Sequence, residues 1–335
     1  MTRQSLGIDN FTLALAATVT AATLLPARGA MAALFDGATV FAIALLFFLH
    51  GAKLSREAII AGATHWRLHL TVFLATFGLF PLLGFALKPL LAPLVTPELY
   101  LGVLYVCALP ATVQSAIAFT SIARGNIPAA ICSASASSII GIFLTPLLVG
   151  LLLGTQSPAA AGGGETTHAV WKIIEQLLLP FIAGQVARQW IGAWVDRNKG
   201  LLKFVDQGSI LLVVYVAFSA AVLQGLWHQV PALSLGGTLV VNAVLLVLVL
   251  LATRTAARLQ GFDPEDEITT VFCGSKKSLA SGVPMAKVLF AGHSVGVILL
   301  PLMLFHQMQL MVCAVLARKY AARREAVPAA APKQA

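Results

Sequence analysis

Runs of about twenty apolar residues, separated by short polar segments, repeat along the whole chain. A helix rises about 1.5 Å per residue and the hydrocarbon core of a bilayer is about 30 Å thick, so each run is long enough to cross it. The pattern predicts an all-α polytopic membrane protein with ten transmembrane helices, of which the first is short and the ninth contains two lysines. The ten predicted segments are Asn10–Pro26, Leu34–Ala52, Leu68–Leu87, Pro97–Ala123, Pro128–Leu153, Ala169–Ile191, Gln207–Trp227, Ala232–Arg254, Glu265–Phe290 and Val295–Arg318.

Composition and charge support this interpretation. Hydrophobic residues make up 59% of the chain and charged residues 10%, whereas soluble domains carry about 25% charged residues. A net charge of +9 would suggest nucleic acid in a soluble protein. Here 16 of the 22 Lys and Arg residues fall on the side of the N-terminus, the even-numbered loops and the C-terminus. The positive-inside rule therefore places both termini in the cytoplasm of a bacterial-type inner membrane, with lipid and not nucleic acid around the protein.

The segments between the helices divide the chain into two halves. Residues 1–154 form a first repeat of five helices and residues 169–324 a second, joined by a glycine-rich outer linker at 155–168, and residues 325–335 form a disordered tail. An odd number of spans per half gives the halves opposite orientations. A faint internal similarity agrees with inversion, because Gln114–Arg124 in span four can be laid over Lys277–Lys287 in span nine.

Spans four and nine also carry signs of interruption. In span four, Pro110 precedes a small and polar run that ends in Gln114 and Ser115. In span nine, Asp263 and the acidic residues after it form a good helix start, and a polar run from Gly274 to Ser278 follows. A break exposes backbone groups that lipid tolerates only where they line a cavity or bind a solute. We expect the second half of span nine to begin near Ser275 and to attract an anion; a simple kink, or a loop end marked by the lysines, is the alternative.

The candidate residues for substrate binding or coupling lie at these two interruptions, and one further candidate lies in span five. At most one of the paired lysines is expected to face the site, and close helix packing is the alternative role of the span-five serine. The four cysteines are expected to be small buried hydrophobic residues, and no motif for an enzyme, a metal site or a cofactor is present. The candidates are Lys276, Lys277, Ser275, Ser278, Ser115, Gln114, Gly274 and Ser133.

Several stretches resemble the bile acid:sodium symporter family, in its bile-acid-symporter-like branch close to human solute carrier family 10 member 7. They are Phe47–Leu54, Ala123–Asn126, Thr145-Pro146 and Cys273–Pro284. The resemblance implies a ten-helix fold with an inverted five-helix repeat. In that fold a panel domain, made of spans one, two, six and seven, rocks against a core domain, in which the broken helices four and nine cross.

The sodium-site residues of the family carry over poorly to this sequence. Ser115 matches a family serine, but Ala116 stands where the family has asparagine, and Ala130 and Ala134 stand where it has serine and threonine. In span nine Gly274 matches, whereas Phe272 takes the place of a glutamate and the lysine pair takes the place of Gln-Asn. Exchanging an acid for lysines disfavours a cation site.

We therefore predict a secondary transporter of a small organic anion that works by alternating access without the family's usual sodium sites. A lysine ammonium would take the place of the bound cation, and transport would be sodium-independent or linked to a proton carried by a lysine. The alternatives left open are a non-transporting membrane regulator of ion homeostasis, for example of calcium, and a channel, although no ring of charges suggests one.

Overall fold

The computed structural model describes residues 10–53, 65–153, 174–226, 230–290 and 293–325. Within these ranges the chain is helical and contains no strand. Twelve helices follow the predicted apolar segments in order, with spans four and nine each divided in two. They are α1 (Asn10–Leu24), α2 (Gly29–Lys53), α3 (Trp66–Ala86), α4 (Pro97–Ala108), α5 (Val113–Ile122), α6 (Ile127–Leu153), α7 (Leu179–Arg197), α8 (Lys199–Leu223), α9 (Ala232–Leu259), α10 (Pro264–Gly274), α11 (Leu279–Leu289) and α12 (Val295–Glu325).

Two helices contain or follow a π-helical turn. One turn, Ala75–Leu79, lies inside α3, and the other, Ile174–Leu178, leads into α7. A single helical turn at Lys88–Leu91 and a 3-10 turn at Ala92–Leu94 connect α3 to α4. A π turn shifts the backbone hydrogen bonds by one residue and leaves carbonyl groups available to other partners, which proves important for α3 below.

Six described helices are long and apolar enough to cross a membrane, namely α2, α3, α6, α8, α9 and α12. The bent pair formed by α4 and α5 makes a seventh if it is counted as one span. Several helices extend beyond the predicted apolar segments, since α2 begins at Gly29, α8 at Lys199 and α12 ends only at Glu325. The extra turns of α8 and α12 carry charged residues, so hydropathy alone places these two helix ends too close to the apolar centre.

The helices pack in two sets. In the first set α2 lies against α7 and α8, and α1 lies against α8. The approach of α2 to α7 depends on glycine, because a methyl group at Gly51 would overlap the carbonyl of Phe181 and one at Gly184 would overlap that of Phe48. In the second set α4 packs on α12, α5 on α6 and α10, and α9 on α10 and α12.

One end of the bundle, which we call the basic end, gathers Lys53, Arg124, Arg197, Lys199 and Arg258 at helix termini. At this end the loop before α6 docks onto α10. The Asn126 side-chain Nδ2 donates to Asp266 Oδ1 at 2.8 Å, and the Asn126 backbone N–H donates to Thr269 Oγ1 at 2.9 Å. The predicted helix start is confirmed, because Asp263 caps α10 and accepts from the amides of Glu265 and Asp266.

The predicted outer linker, residues 155–168, lies outside the described residues, as does the tail from residue 326 onward. The inverted relation between the two halves of the chain stays a prediction.

Candidate functional site

The two interrupted helices meet at their breaks. The first break separates α4 from α5, which are bent by 64° relative to each other. The second separates α10 from α11. The Ser278 amide donates to the Pro110 carbonyl at 2.9 Å, and Thr112 Oγ1 donates to the Lys277 carbonyl at 2.8 Å. The polar segments that the sequence marked as interruptions therefore lie in direct contact.

Side chains of α6 satisfy backbone groups that the first break leaves without helical partners. Thr145 Oγ1 donates to the Ala108 carbonyl at 2.9 Å, and Ser137 Oγ accepts from the Ala111 amide at 2.9 Å. Pro110 itself has no amide hydrogen to place. An unpaired buried backbone group costs free energy comparable to a lost hydrogen bond, so these two contacts stabilise the non-helical segment.

Lys277 supplies a cation to the same break. Its side chain is fully buried, and Nζ donates to the carbonyls of Thr76, Cys107 and Leu109 at 2.8, 2.8 and 2.7 Å. The Thr76 carbonyl belongs to the π turn of α3, and the other two end α4. The ammonium also lies 4.1 Å from the centre of the Phe80 ring. All three of its N–H groups are thus used, and a positive charge is fixed among carbonyl oxygens.

The backbone at Lys277 is held by Gln309 of α12. The buried Gln309 side chain accepts from the Lys277 amide at 2.8 Å through Oε1 and donates to the Lys277 carbonyl at 2.8 Å through Nε2. The expectation that α11 begins near Ser275 is wrong: it begins at Leu279 with Ser278 as its cap. In the non-helical segment before it, Gln309 and Thr112 take over hydrogen bonds that a helix would make internally.

Lys276 has different surroundings. It is also fully buried, but its ammonium lies 4.0 Å from the centre of the Phe119 ring and 5.7 Å from that of Phe272, beside the Cys313 thiol. No oxygen or nitrogen acceptor is within hydrogen-bond distance of its Nζ among the described residues. The attraction here comes from the ring faces, and no hydrogen bond to a carbonyl contributes.

A cavity of about 440 Å³ lies beside the crossing. The first turns of α5 and α11 form one wall, and residues of α1, α2, α8 and α12 form the others. Three predicted residues, Gln114, Ser115 and Ser278, line it. The first N–H groups of a helix have no acceptor inside the helix and carry a partial positive charge. Two such helix ends face this cavity, which makes it attractive to a negative solute.

Charged side chains surround the cavity toward the basic end. Lys203 and Arg318 line it there, together with His50 and Asp206. Asp206 forms an ion pair with Lys53, so its negative charge is balanced locally. Lys203 and Arg318 are the lysine and the arginine of the described wall.

The remaining predicted residues lie away from the cavity. Neither lysine of the pair lines it. Ser275 Oγ donates to the Val271 carbonyl at 2.6 Å, and Ser133 Oγ lies 2.6 Å from His69 Nδ1. Gly274 packs so closely that a methyl group there would lie 3.0 Å from Thr253 Cγ2. These residues make packing contacts and hydrogen bonds around the break and do not line the cavity.

Sequence reasoning missed four residues of the crossing. Gln309 and Thr112 hold the Lys277 backbone, and Thr76 and Phe80 surround its ammonium. Only Gln309 carries a signal that could have identified it, because a glutamine inside an apolar span needs a buried hydrogen-bond partner.

A helical membrane bundle in which two broken helices meet at a solute-sized cavity is the architecture of a membrane transporter. The chain belongs to the SBF-like CPA transporter family, whose model matches residues 9–322. This is a family of transporters and not of enzymes, and its relatives include proteins named as symporters.

The chain is 56% identical over 322 residues to the protein named "Putative symporter YfeH" of Escherichia coli K12, which covers 96% of each chain. It is 68% identical over 322 residues to an uncharacterized protein of Pseudomonas aeruginosa, again over 96% of each chain. It is 30% identical over 278 residues to "Sodium/bile acid cotransporter 7" of mouse, over 82% of this chain and 80% of that protein.

Proposed function

We propose that the protein is a secondary transporter of a small organic anion that works by alternating access. One observation carries the proposal: the N-terminal ends of α5 and α11 face the same cavity. Each end offers a bound anion N–H groups that have no acceptor within the helix. It also carries a partial positive charge on the order of half an elementary charge. Lys203 lines the same cavity and brings a cationic side chain to its wall.

The apolar part of the cavity wall indicates that the ligand has an apolar body in addition to its negative charge. Phe11, Ala118, Ile210 and Leu310 line it beside the polar groups. An inorganic anion would leave these side chains in contact with water, whereas an organic anion covers them with its own carbon skeleton. The substrate class is thus a carboxylate or sulfonate with an apolar body.

Transport without the family's sodium sites rests on two features. Ala116, Ala130 and Ala134, which stand at positions of family sodium ligands, pack with Cys273 in a buried apolar cluster that offers no side-chain oxygen. The carbonyls that end α4 already accept from the Lys277 ammonium. A sodium ion there would meet a fixed positive charge, so the lysine takes over the role of a bound cation.

If coupling uses a proton, Lys276 is its carrier. Lys276 gives up a proton without breaking a hydrogen bond to an oxygen or nitrogen acceptor of the described residues, whereas Lys277 would lose one of three hydrogen bonds to carbonyls. The Phe119 ring that covers Lys276 also lines the cavity. An anion at the cavity wall would thus lie one side chain away from the exchangeable proton.

The proposal is tested by the thermal stability of the detergent-purified protein in the presence of carboxylates and sulfonates of graded size, in sodium chloride and in potassium chloride. A bound substrate raises the melting temperature. We expect one class of organic anion to stabilise the protein equally in both salts. Lys203→Gln should weaken this effect, and Lys199→Gln, one turn away on α8 and outside the cavity wall, should not.

Other outcomes have distinct meanings. Stabilisation by sodium in the absence of any organic anion would show that a sodium site exists and that the proposed coupling is wrong. Stabilisation by no anion at all would favour a regulatory role over transport.

A further inference from the structure

A second hollow lies on the outer surface of the bundle, between α9, α10 and α12, and is separate from the transport cavity. Its volume is about 490 Å³. The rims are apolar and exposed: Leu251 is 56% and Val315 49% accessible. Val271 of α10 lies at its back and is buried. We call this hollow the lateral groove.

The lateral groove is apolar along its length and basic at one end. Along α9 it runs from Val247 to Arg254, and along α12 from Met311 to Lys319, a distance on the order of 10 Å. Arg254, Lys319 and Tyr320 therefore lie together at the basic end of the bundle, and the apolar part extends from them toward the middle of the helices.

The charged side chains that line the groove at this end are cationic. Arg254 and Arg258 both pair with Glu267, at 3.3 and 3.0 Å. Lys319 is exposed, and no carboxylate lines the groove within the described ranges. The charged side chains that line the groove are thus Arg254 and Lys319, and Glu267, which pairs with Arg254, is not one of the lining residues.

We propose that the lateral groove binds one anionic phospholipid, with an acyl chain in the apolar channel and the phosphate on Arg254 and Lys319. A basic pocket between transmembrane helices at a membrane surface has the chemistry that selects anionic headgroups. A second copy of this chain is a poor occupant, because it would bring the same positive charges. A soluble anion would leave the channel unfilled.

Selectivity of the lateral groove for an anionic over a neutral phospholipid must come from the headgroup. An acyl chain gains little by moving from the bilayer into an equally apolar groove. Phosphatidylglycerol carries a net negative charge and phosphatidylcholine does not, so the two lipids differ only in the part that meets Arg254 and Lys319 when their acyl chains are the same.

A lipid in the lateral groove would affect α10, the first half of the broken span nine. Val271 lies three residues before Gly274, where α10 ends, and Phe272 forms part of the ring pair beside Lys276. A lipid in the lateral groove would press on the back of α10 and would hold it against α9 and α12. Lipid binding therefore stabilises the described arrangement of the break, and this holds whether or not the transported solute is an organic anion.

The test is a thermal-shift titration of the delipidated, detergent-purified protein with phosphatidylglycerol, with phosphatidylcholine of the same acyl chains, and with glycerol phosphate. We expect phosphatidylglycerol alone to raise the melting temperature. Lys319→Gln should weaken its apparent affinity about fivefold, since one lysine near a membrane surface contributes on that order. Val315→Trp, which fills the channel and keeps every charge, should also weaken it.

Lys199→Gln removes one exposed lysine at the same end of the bundle, away from the groove, and should leave the affinity unchanged. Equal stabilisation by both lipids would overturn the proposal in favour of a general detergent or bilayer effect. Equal stabilisation by glycerol phosphate would overturn it in favour of a plain anion site. An unchanged affinity in both Lys319→Gln and Val315→Trp would place the lipid elsewhere.

Discussion

Lys276 and Lys277 are neighbours in the sequence and are both fully buried, yet their ammonium groups have opposite environments. Lys277 Nζ donates to three carbonyls, whereas Lys276 Nζ faces two aromatic rings. The two lysines lie in the non-helical segment between α10 and α11, and their side chains enter different surroundings. Two identical residues therefore have different physical consequences when they are replaced.

Replacement of each lysine by methionine separates these consequences. In Lys277→Met, three buried carbonyls lose their donor, and we expect a loss of about 3 kcal/mol or more in the free energy of unfolding. In Lys276→Met, an ammonium without a hydrogen-bond acceptor becomes a thioether of similar length, and we expect stability to be unchanged or increased. Thermal and denaturant unfolding of both variants in the same detergent measures the difference.

Each variant serves as the control of the other, because both remove one buried charge at the same place in the chain. An equal loss of stability in the two variants would contradict the account, since it would mean that burial of the charge matters and its hydrogen bonds do not.

At the scale of the helices, local sequence signals predicted the breaks well and their partners poorly. Proline at position 110 and the polar run around residue 276 mark where helical hydrogen bonds end, and such marks are local. The partners of the freed groups come from elsewhere: Thr76 lies about 200 residues from Lys277, and Gln309 lies about 30 residues away. Sequence alone carries no information on which π turn or which glutamine will meet a given break.

The same contrast applies to the candidate site as a whole. Gln114, Ser115 and Ser278 could be predicted as cavity residues because they follow the breaks directly. Lys203 and Arg318 could not, since they lie on long helices where a basic residue is ordinarily a mark of the cytoplasmic side. Their role depends on how α8 and α12 are rotated, which is decided by packing.

Glycine at the contact of α2 and α7 gives a prediction at this scale. We expect Gly184→Ala to lower the free energy of unfolding by about 1–3 kcal/mol, because the new methyl group overlaps the Phe48 carbonyl and forces the helices apart. Gly208→Ala on α8 is the matched control. Its methyl group meets nothing within 4 Å, and alanine favours a helix by about 1 kcal/mol over glycine.

Thermal unfolding of the two alanine variants, together with their helix content by circular dichroism, measures the effect. A Gly184→Ala variant as stable as Gly208→Ala would show that α2 and α7 are not held at the close distance described.

At the scale of the whole molecule, the cavity beside the crossing of the broken helices lies nearer to one end of the bundle than to the other. Lys203 and Arg318 line it toward the basic end. Asp36 of α2 precedes Lys53 by seventeen residues, or about 25 Å of helix, and forms an ion pair with Lys287 of α11 at 2.7 Å. This pair joins α2 to α11 at the end opposite the basic one. The alternating access that we propose requires the contact between Asp36 and Lys287 to open when the cavity is exposed at that end.

The expected consequence is that Asp36→Asn exposes the cavity more often to the end opposite the basic one. A cysteine introduced as Gln114→Cys reports on this through its rate of reaction with a membrane-impermeant maleimide added from that side. The four native cysteines are buried and keep the background low. A partly exposed ion pair contributes up to about 1 kcal/mol, so labelling should accelerate by up to about fivefold.

Two comparisons make the result specific. The exchanged pair Asp36→Lys with Lys287→Asp restores the attraction and should restore slow labelling. Asp196→Asn breaks an ion pair with Arg188 that lies within α7 and does not involve α11, so it should leave the rate unchanged. If Asp36→Asn labels no faster than the Asp196→Asn control, the contact of α2 with α11 does not close the cavity. If the exchanged pair labels as fast as Asp36→Asn, the carboxylate acts through something other than its attraction to Lys287.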